Sequence, residues 1–180
     1  MKKTLYLVRH CSAAGQAADA RLTAEGVTQA GTLADFLSGV EVGQIVSSPF
    51  ARALQSMEPF SNRSGIGVRP DDRLIEAALS KIDHPDWLKK LERTFFDFSL
   101  SFEGGESSEE ATGRAMAVID EVLELEAGPT VIVTHGRLLT LILRNFDPRY
   151  GFEEWQTLTT PDVFRIVVSN GVSSVERIWK

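Results

Sequence analysis

The fold is decided by two stretches of one design, LYLVRH at residues 5–10 and TVIVTHG at residues 130–136. Each is a short apolar run that stops abruptly at a histidine. Runs of this kind are typical of strands buried on both faces, which form the centre of a parallel sheet. Ligands in such sheets bind beyond the carboxyl ends of the strands. The two strands are therefore expected to deliver His10 and His135 to the same edge of the sheet.

The composition is that of an average soluble globular protein of 180 residues, with 43% hydrophobic and 24% charged residues. A net charge of -6 argues against a nucleic-acid-binding surface. The single cysteine excludes an intrachain disulfide, and no run approaches the ~20 apolar residues of a membrane span. The first residues lead straight into a short strand rather than a signal peptide. One domain over residues 1–180, in the cytoplasm and away from membranes, is the expectation.

Strand and helix patterns alternate along the chain. Further strands are predicted at residues 44–47 and 66–69, and a final hairpin pairs residues 163–169 with 172–179 through Asn170-Gly171. Helices are predicted from Thr23 to Gly39, from Ser48 as N-cap with Pro49 to about Asn62, after residues 84–86, after the capping box Ser107–Glu110, and from Gly136 to about Asn145. This alternation predicts a three-layer α/β/α sandwich with a mostly parallel central sheet and an antiparallel C-terminal hairpin.

The residues at this edge suit a phosphoryl group. Arg9 and Arg52 carry guanidinium groups, which can bind phosphate oxygens bidentately, and Arg52 falls in the first turn of a helix, where anions are favoured. Neutral His10 has a ring nitrogen able to attack phosphorus, and His135 could donate to the phosphate oxygens. Gly136 lets the backbone approach closely. The hypothesis is that His10 attacks a phosphoryl group held at this edge.

A proton donor for the departing oxygen is also needed. Glu76, after a segment that returns to the same edge, is placed to supply it. Glu103 and Glu106 are alternatives, although Glu106 could merely complement a helix dipole. His84 is interpreted as a helix-start residue. The aromatic group that follows is interpreted as core. The alternative is that part of it forms a lid that selects bulky or apolar leaving groups: Trp87, Phe95, Phe96, Phe98 and Phe102.

These residues resemble the histidine phosphatases, also called the phosphoglycerate mutase-like superfamily, over nearly the whole chain. The marks are LVRH at 7–10, LT at 22–23 with Gly26 and Gln29-Ala30, SSP at 47–49 with Arg52-Ala53 and Gln55-Ser56, Leu74 with Glu76, GES at 105–107 and VTHG at 133–136. The resemblance implies that His10 is phosphorylated, that Arg9, Arg52 and His135 form the phosphate pocket, and that Glu76 is the proton donor. It also implies that no metal or organic cofactor is needed.

One position departs from the family pattern, since Cys11 stands where glycine usually follows the Arg-His pair. A side chain there is expected to narrow the pocket or redirect the following loop. A cysteine-phosphatase mechanism would need an arginine six residues after Cys11, and Ala17 stands there. No Gly-x4-Gly-Lys loop occurs, and three scattered histidines argue against a metallophosphatase.

The sequence therefore predicts a phosphomonoester hydrolase that works through a phosphohistidine on a small phosphorylated metabolite, in the manner of histidine acid phosphatases. Phosphoglycerate mutase-type transfer is the near alternative, although the mutases that this chain resembles are typically longer. A non-catalytic member that binds a phosphorylated ligand is the other alternative. The natural substrate and the oligomeric state stay open.

Overall fold

The computed structural model describes residues 2–125 and 128–180. Strands and helices alternate along them, as the sequence patterns predict. In chain order the elements are β1 Lys2–Arg9, α1 Ala24–Leu37, β2 Gln44–Ser47, α2 Ala51–Ser64, β3 Val68–Pro70, a 3-10 helix Asp72–Leu74, α3 Trp87–Phe96, α4 Ser108–Glu124, β4 Thr130–Thr134, α5 Gly136–Phe146, α6 Phe152–Gln156, β5 Asp162–Ser169 and β6 Val172–Arg177.

The strands form one mixed sheet in the order β3-β2-β4-β1-β5-β6. The first four of these run parallel, while β5 pairs antiparallel with β1 and β6 pairs antiparallel with β5. Asn170 and Gly171 close the final hairpin with φ values of 51° and 77°. Both are positive, as a tight hairpin turn matched to the strand twist requires. The predicted fold class, with its antiparallel C-terminal hairpin, is confirmed.

The central strands are buried on both faces. Along β1, Leu5 and Leu7 join one core cluster, whereas Tyr6 and Val8 join the other. Helices α1 and α2 cover the second cluster, and α3, α4 and α5 cover the first. Within the described residues, no helix combines the length and the hydropathy needed to cross a bilayer. The sheet thus lies between two helical layers, which fixes the carboxyl ends of β1, β2 and β4 at one edge.

Two helix starts follow the predicted caps. Thr23 accepts a hydrogen bond from Gly26 N–H at 3.0 Å, and Ser107 and Glu110 form the predicted capping box of α4. The start of α2 was predicted wrongly, since it begins at Ala51 and its N-cap Phe50 supplies no side-chain bond. Ser48 lies outside the helix, although its hydroxyl accepts the Phe50 N–H at 3.3 Å and also contacts Nε2 of His135 at 2.7 Å.

The edge strand β3 covers Val68–Pro70 rather than residues 66–69. Two serines at the end of α2 form hydrogen bonds with the backbone carbonyl and N–H of Ile66. Ser61 Oγ donates to the Ile66 carbonyl at 2.7 Å, and Ile66 N–H donates to Ser64 Oγ at 3.2 Å. These bonds hold Ile66 in the turn, so the strand starts two residues later.

The segment after β1 is fastened to α1 and α2 by residues of the quoted motifs. Side-chain oxygens accept its backbone N–H groups: Ser56 Oγ from Cys11 at 2.8 Å, Gln29 Oε1 from Ser12 at 2.8 Å and Gln55 Oε1 from Leu22 at 3.0 Å. Thr23 N–H donates to the Ser12 carbonyl at 3.1 Å. The motif residues therefore hold the backbone that directly follows His10.

The closest approach in this region is at Gly26, where an added Cβ would lie 2.0 Å from the Ser12 carbonyl oxygen. We expect Gly26→Ala to lower the free energy of unfolding by about 1–3 kcal/mol, because backbone has to move to relieve the overlap. Gly31→Ala is the matched control on the same helix, since nothing lies within 4 Å of its added Cβ. That change should stabilise the protein by roughly 0.5–1 kcal/mol through helix propensity. Urea unfolding of both variants tests this, and equal effects would contradict the packing described.

Candidate active site

The side chains at the ends of β1 and β4 and at the start of α2 meet at one point. The rings of His10 and His135 have centroids 5.1 Å apart at an interplanar angle of 61°. Arg52 Nε lies 3.2 Å from His10 Nε2, and Arg9 ends the strand that leads to His10. The structure thus brings together the two histidines and two arginines that the sequence predicts at this edge.

Hydrogen bonds fix the tautomer of His10. Nδ1 lies 2.7 Å from the Cys11 carbonyl oxygen, which can only accept, so Nδ1 carries the proton. Arg52 Nε can only donate, so His10 Nε2 presents its lone pair. Burial is the main cause that lowers the pKa of His10, to about 4; the Cys11 hydrogen bond opposes this, and the charges of Arg52 and Arg9 reinforce it. His10 is therefore a neutral imidazole with a lone pair inside a cluster of cations.

His135 packs against His10 and does not itself line the cavity, and the residue is only 1% exposed. Phe50 N–H donates to Ser48 Oγ at 3.3 Å, and the Ser48 hydroxyl lies 2.7 Å from His135 Nε2. Within the part of the chain that the structure describes, Nε2 is the one acceptor placed for the Ser48 hydroxyl proton, so we assign the ring proton to Nδ1. Among the described residues, Nδ1 has no hydrogen-bond partner. Burial, followed by the nearby charges, lowers the pKa of His135 to about 2.

Backbone carbonyls hold both arginines. Arg9 Nη1 donates to the carbonyls of residues 158–159 at 3.2 and 3.3 Å, and Arg52 Nη1 donates to those of residues 16–17 at 3.2 and 2.8 Å. Arg9 Nε is buried without a partner among the described residues. Burial lowers the pKa of both arginines and the charge of Glu76 raises it, but arginine stays protonated in proteins. Each guanidinium therefore keeps donors for an anion.

Gly136 brings α5 against Arg9. A Cβ added there would lie 3.3 Å from both Arg9 Nη2 and Trp155 Nε1. A larger residue would push these two groups away. The sequence indicated a close approach at Gly136, and the structure shows that the partners are the guanidinium of Arg9 and an indole.

Glu76 faces the cavity, whereas Glu106 does not. Oε1 of Glu76 accepts N–H groups of Ala77 at 2.8 Å and Leu138 at 3.0 Å, and Oε2 accepts that of Arg137 at 3.2 Å. The carboxyl group is thus fixed at the N-terminus of α5. Glu106 is bound bidentately by Arg114 at 2.6 and 2.8 Å and does not line the cavity. Of these two acids, Glu76 is the one near the phosphate cup, by which we mean His10, His135, Arg9 and Arg52.

The expectation that Cys11 narrows the pocket is wrong. Its side chain is fully buried in the core beneath α1 and α2, and only its carbonyl oxygen reaches His10. Burial raises the pKa of the thiol to about 11, in spite of a nearby hydroxyl, so it stays protonated at neutral pH. The side chain at this position contributes packing, and the backbone does what a glycine would also do.

Arg137 is a site residue that the sequence analysis missed. It is 3% exposed and donates to the carbonyls of Ala77, Ala78 and Glu106 at 3.2 to 3.3 Å, and to Ser108 Oγ at 3.3 Å. These bonds fasten the segment that carries Glu76 to α5. The signal in the sequence was an arginine in the first turn of a helix that is mostly apolar.

The cup opens into a cavity of about 910 Å³. Its outer wall is formed mainly by the segment between β3 and α3, by α3 itself and by α6: Leu79, Ser80, Ile82, Asp83, His84, Trp87, Leu91 and Trp155. His84, which the sequence suggested was only a helix-start residue, therefore lines the cavity. Phe98 and Phe102, two members of the aromatic group for which a lid was the alternative, do not line it, and Phe96 is 81% exposed.

One of the five aromatic residues that the sequence analysis interpreted as core, with a lid as the alternative, reaches the cavity instead. Trp87 lines the cavity, as does Trp155 of the unpredicted helix α6. Phe95 is 3% exposed and belongs to the core, as its position in the pattern suggested. Within residues 2–125 and 128–180 no cluster of three or more His, Cys, Asp or Glu side chains is arranged to hold a metal ion. That the reaction needs no cofactor stays a prediction.

This chain is similar to one protein family and to several known proteins. The family described as "Histidine phosphatase superfamily (branch 1)" matches residues 5–175. The probable phosphoglycerate mutase GpmB of Salmonella choleraesuis strain SC-B67 is 27% identical over 150 residues, which cover 73% of this chain and 69% of that protein.

Two solved structures share the fold. Mycobacterial glucosyl-3-phosphoglycerate phosphatase Rv2419c superposes with a TM-score of 0.81 at 23% identity, covering 98% of each chain. YhfR of Bacillus stearothermophilus gives 0.79 at 25% identity, covering 98% of this chain and 96% of that one.

The two buried neutral imidazoles make stability depend on pH. An unfolded histidine has a pKa of about 6.5, whereas His10 has one of about 4 and His135 one of about 2. Between pH 6.5 and 4 the unfolded chain thus binds more protons, and the free energy of unfolding falls as the pH falls. Urea unfolding at pH 7.5, 6 and 5 measures this slope. For the double variant His10→Asn, His135→Asn, the free energy of unfolding should depend less steeply on pH than for the wild type. Equal slopes would contradict the lowered pKa values of the two histidines.

Proposed function

The chain belongs to the histidine phosphatase superfamily, and on that premise we propose that it hydrolyses phosphomonoesters of small metabolites through a phosphohistidine at His10. The observation that carries the proposal is the state of this ring. Nδ1–H is held by the Cys11 carbonyl, and the Nε2 lone pair lies among guanidinium groups. A neutral nucleophile surrounded by fixed cations suits attack on a phosphate dianion, whose charge would repel an anionic nucleophile.

Substrate binding would free the nucleophile. In the structure described here Arg52 Nε donates to His10 Nε2. Phosphoryl oxygens are stronger acceptors than an imidazole and would take that N–H, together with the unpartnered donors of Arg9 and His135 Nδ1. His10 Nε2 then faces phosphorus with its lone pair available.

The first chemical step transfers the phosphoryl group to the enzyme. Nε2 of His10 forms a bond to phosphorus while the bond from phosphorus to the ester oxygen breaks. Glu76 gives its proton to the departing alkoxide oxygen. Oε2 of Glu76 accepts only one backbone N–H and so keeps a position for that proton.

The second step returns the phosphoryl group to water. Glu76, now ionised, takes a proton from the attacking water, and an oxygen–phosphorus bond forms as the Nε2–phosphorus bond breaks. His10 recovers its neutral state, with Nδ1 still bound to the Cys11 carbonyl. Inorganic phosphate leaves, and the proton on Glu76 is ready for the next turnover.

Transfer to a second alcohol, as in a mutase, is the competing activity, and the GpmB relatives carry that name. Hydrolysis is favoured here because, among the described residues, the outer cavity wall has no guanidinium or ammonium group to hold a carboxylate such as that of phosphoglycerate. Incubation with 3-phosphoglycerate and bisphosphoglycerate distinguishes the two. Rapid formation of 2-phosphoglycerate with little free phosphate would contradict hydrolysis.

A covalent intermediate separates an enzyme from a protein that only binds phosphorylated ligands. Incubation with a radiolabelled phosphomonoester followed by a rapid denaturing quench should leave acid-labile, alkali-stable phosphate on the wild type. His10→Asn keeps a donor for the Cys11 carbonyl but lacks the nucleophile, so it should lose labelling and roughly a thousandfold or more of the turnover rate. Full turnover in the variant, or an unlabelled wild type, would contradict the proposal.

Leaving-group dependence tests the role of Glu76. Glu76→Gln should lower kcat/KM for an alkyl phosphate by about a hundredfold or more, because an alkoxide needs a proton to depart. The loss for p-nitrophenyl phosphate should be small, because nitrophenolate leaves without one. Glu106→Gln is the matched control outside the cavity. If the role of Glu76 were merely structural, Glu76→Gln would lower kcat/KM for both substrates by the same factor.

A further inference from the structure

We infer that the outer cavity is a subsite for an aromatic, uncharged leaving group, bounded by Trp87 and Trp155. This inference deepens the function proposed above and rests on it. By "aromatic corner" we mean these two indoles, whose ring centroids lie 6.4 Å apart at an interplanar angle of 81°. A planar ring placed in such a corner can stack on one indole and present its edge to the other, the two arrangements that aromatic pairs prefer.

The corner is supported from behind but open in front. Phe152 stacks on Trp155, with centroids 5.6 Å apart at 16°, and Phe152 in turn packs on the buried ring of Phe95. Trp87 by contrast is 50% exposed although it lines the cavity. An indole that is half exposed beside the phosphate cup leaves apolar surface in contact with water, which is unfavourable. An aromatic ring bound against it would bury that surface.

Trp155 also joins the corner to the phosphate cup. Its Nε1 lies 3.3 Å from the Cβ position of Gly136, as does Arg9 Nη2. The indole N–H therefore sits beside a guanidinium donor, and no acceptor for it is present among the described residues. An oxygen of the substrate close to phosphorus would satisfy this N–H, while the leaving group extends onto the rings.

The charges of the cavity specify an uncharged leaving group. Among the described residues its guanidinium groups are those of the cup and that of Arg137. Nη1 and Nη2 of Arg137 donate to backbone carbonyls and to Ser108, and its remaining donor, Nε, is buried away from the cavity without a partner. The outer wall instead carries Asp83, together with His84, whose Nε2 is 3.2 Å from Ser80 Oγ. A second anionic group on the substrate would meet Asp83 without a compensating cation.

Non-hydrolysable phosphonates test the subsite by binding alone. Calorimetry at pH 8, where an ordinary imidazole is neutral, compares benzylphosphonate with cyclohexylmethylphosphonate, which is equally large but not planar. The wild type should prefer the aromatic ligand by about three- to tenfold. Trp87→Ala should remove this preference and leave methylphosphonate affinity unchanged, which also shows that the variant is folded. Trp155→Phe should keep the preference while weakening all three ligands.

A separate binding experiment tests whether the subsite excludes a second anionic group. Addition of a 4-carboxylate to benzylphosphonate should weaken binding at least threefold, and Asp83→Asn should recover most of that loss. Equal affinities for the planar and non-planar ligands, or a preference that survives Trp87→Ala, would overturn the subsite. Failure of every phosphonate to bind at millimolar concentration would overturn the cup together with it. A preserved preference without turnover of any ester would instead contradict only the proposed hydrolysis.

Discussion

The hydrogen bond from His10 Nδ1 to the Cys11 carbonyl oxygen, 2.7 Å long, is the contact on which the chemistry of this site depends. It places the ring proton on one nitrogen and so leaves the other as the only nucleophilic atom. The bond exists because β1 ends at Arg9 and the chain turns directly after it. The turn is fixed by two hydrogen bonds, from the amide of Cys11 to Ser56 and from the amide of Ser12 to Gln29. The motifs on α1 and α2 thus act on the reaction through the backbone rather than by contact with a substrate.

A second constraint concerns the two guanidinium groups beside the neutral ring of His10. Neither Arg9 nor Arg52 is held there by a salt bridge to a carboxylate of the described residues. Backbone carbonyls of residues 158–159 and 16–17 fix Arg9 and Arg52, so the guanidinium groups are oriented while their charge remains available. Glu76 is the nearby counter-charge, and it is held by amides of α5 rather than by an arginine. Such preorganised donors cost little reorganisation when charge develops on a phosphoryl group.

Much of this could be predicted from the sequence, because strand patterns that end in His10 and His135 fix both the sheet and the edge at which it works. What was missed has physical reasons. Helix α6 has five residues, too few for periodicity to show, so Trp155 had no signal. Arg137 lies in a mostly apolar helix, and its hydrogen-bond partners are distant in sequence, so the local pattern does not show its role.

The error at Cys11 has another cause. The alternation of side chains along β1 cannot be extended past the end of the strand, so the direction of Cys11 was open in the sequence. Ser48 was similarly assigned to a helix cap, because its use by His135 is a long-range contact that local patterns do not contain.

The central claim, that Nε2 of His10 is the nucleophile, is tested most directly by the position of phosphorus on the ring. Protein labelled with 15N-histidine, trapped by a fast denaturing quench during turnover and kept alkaline, can be examined by 31P–15N correlation NMR. The account predicts a single phosphorus–nitrogen coupling, to Nε2, that is absent in His10→Asn. Coupling to Nδ1, or a phosphorus signal that survives the substitution, would contradict it.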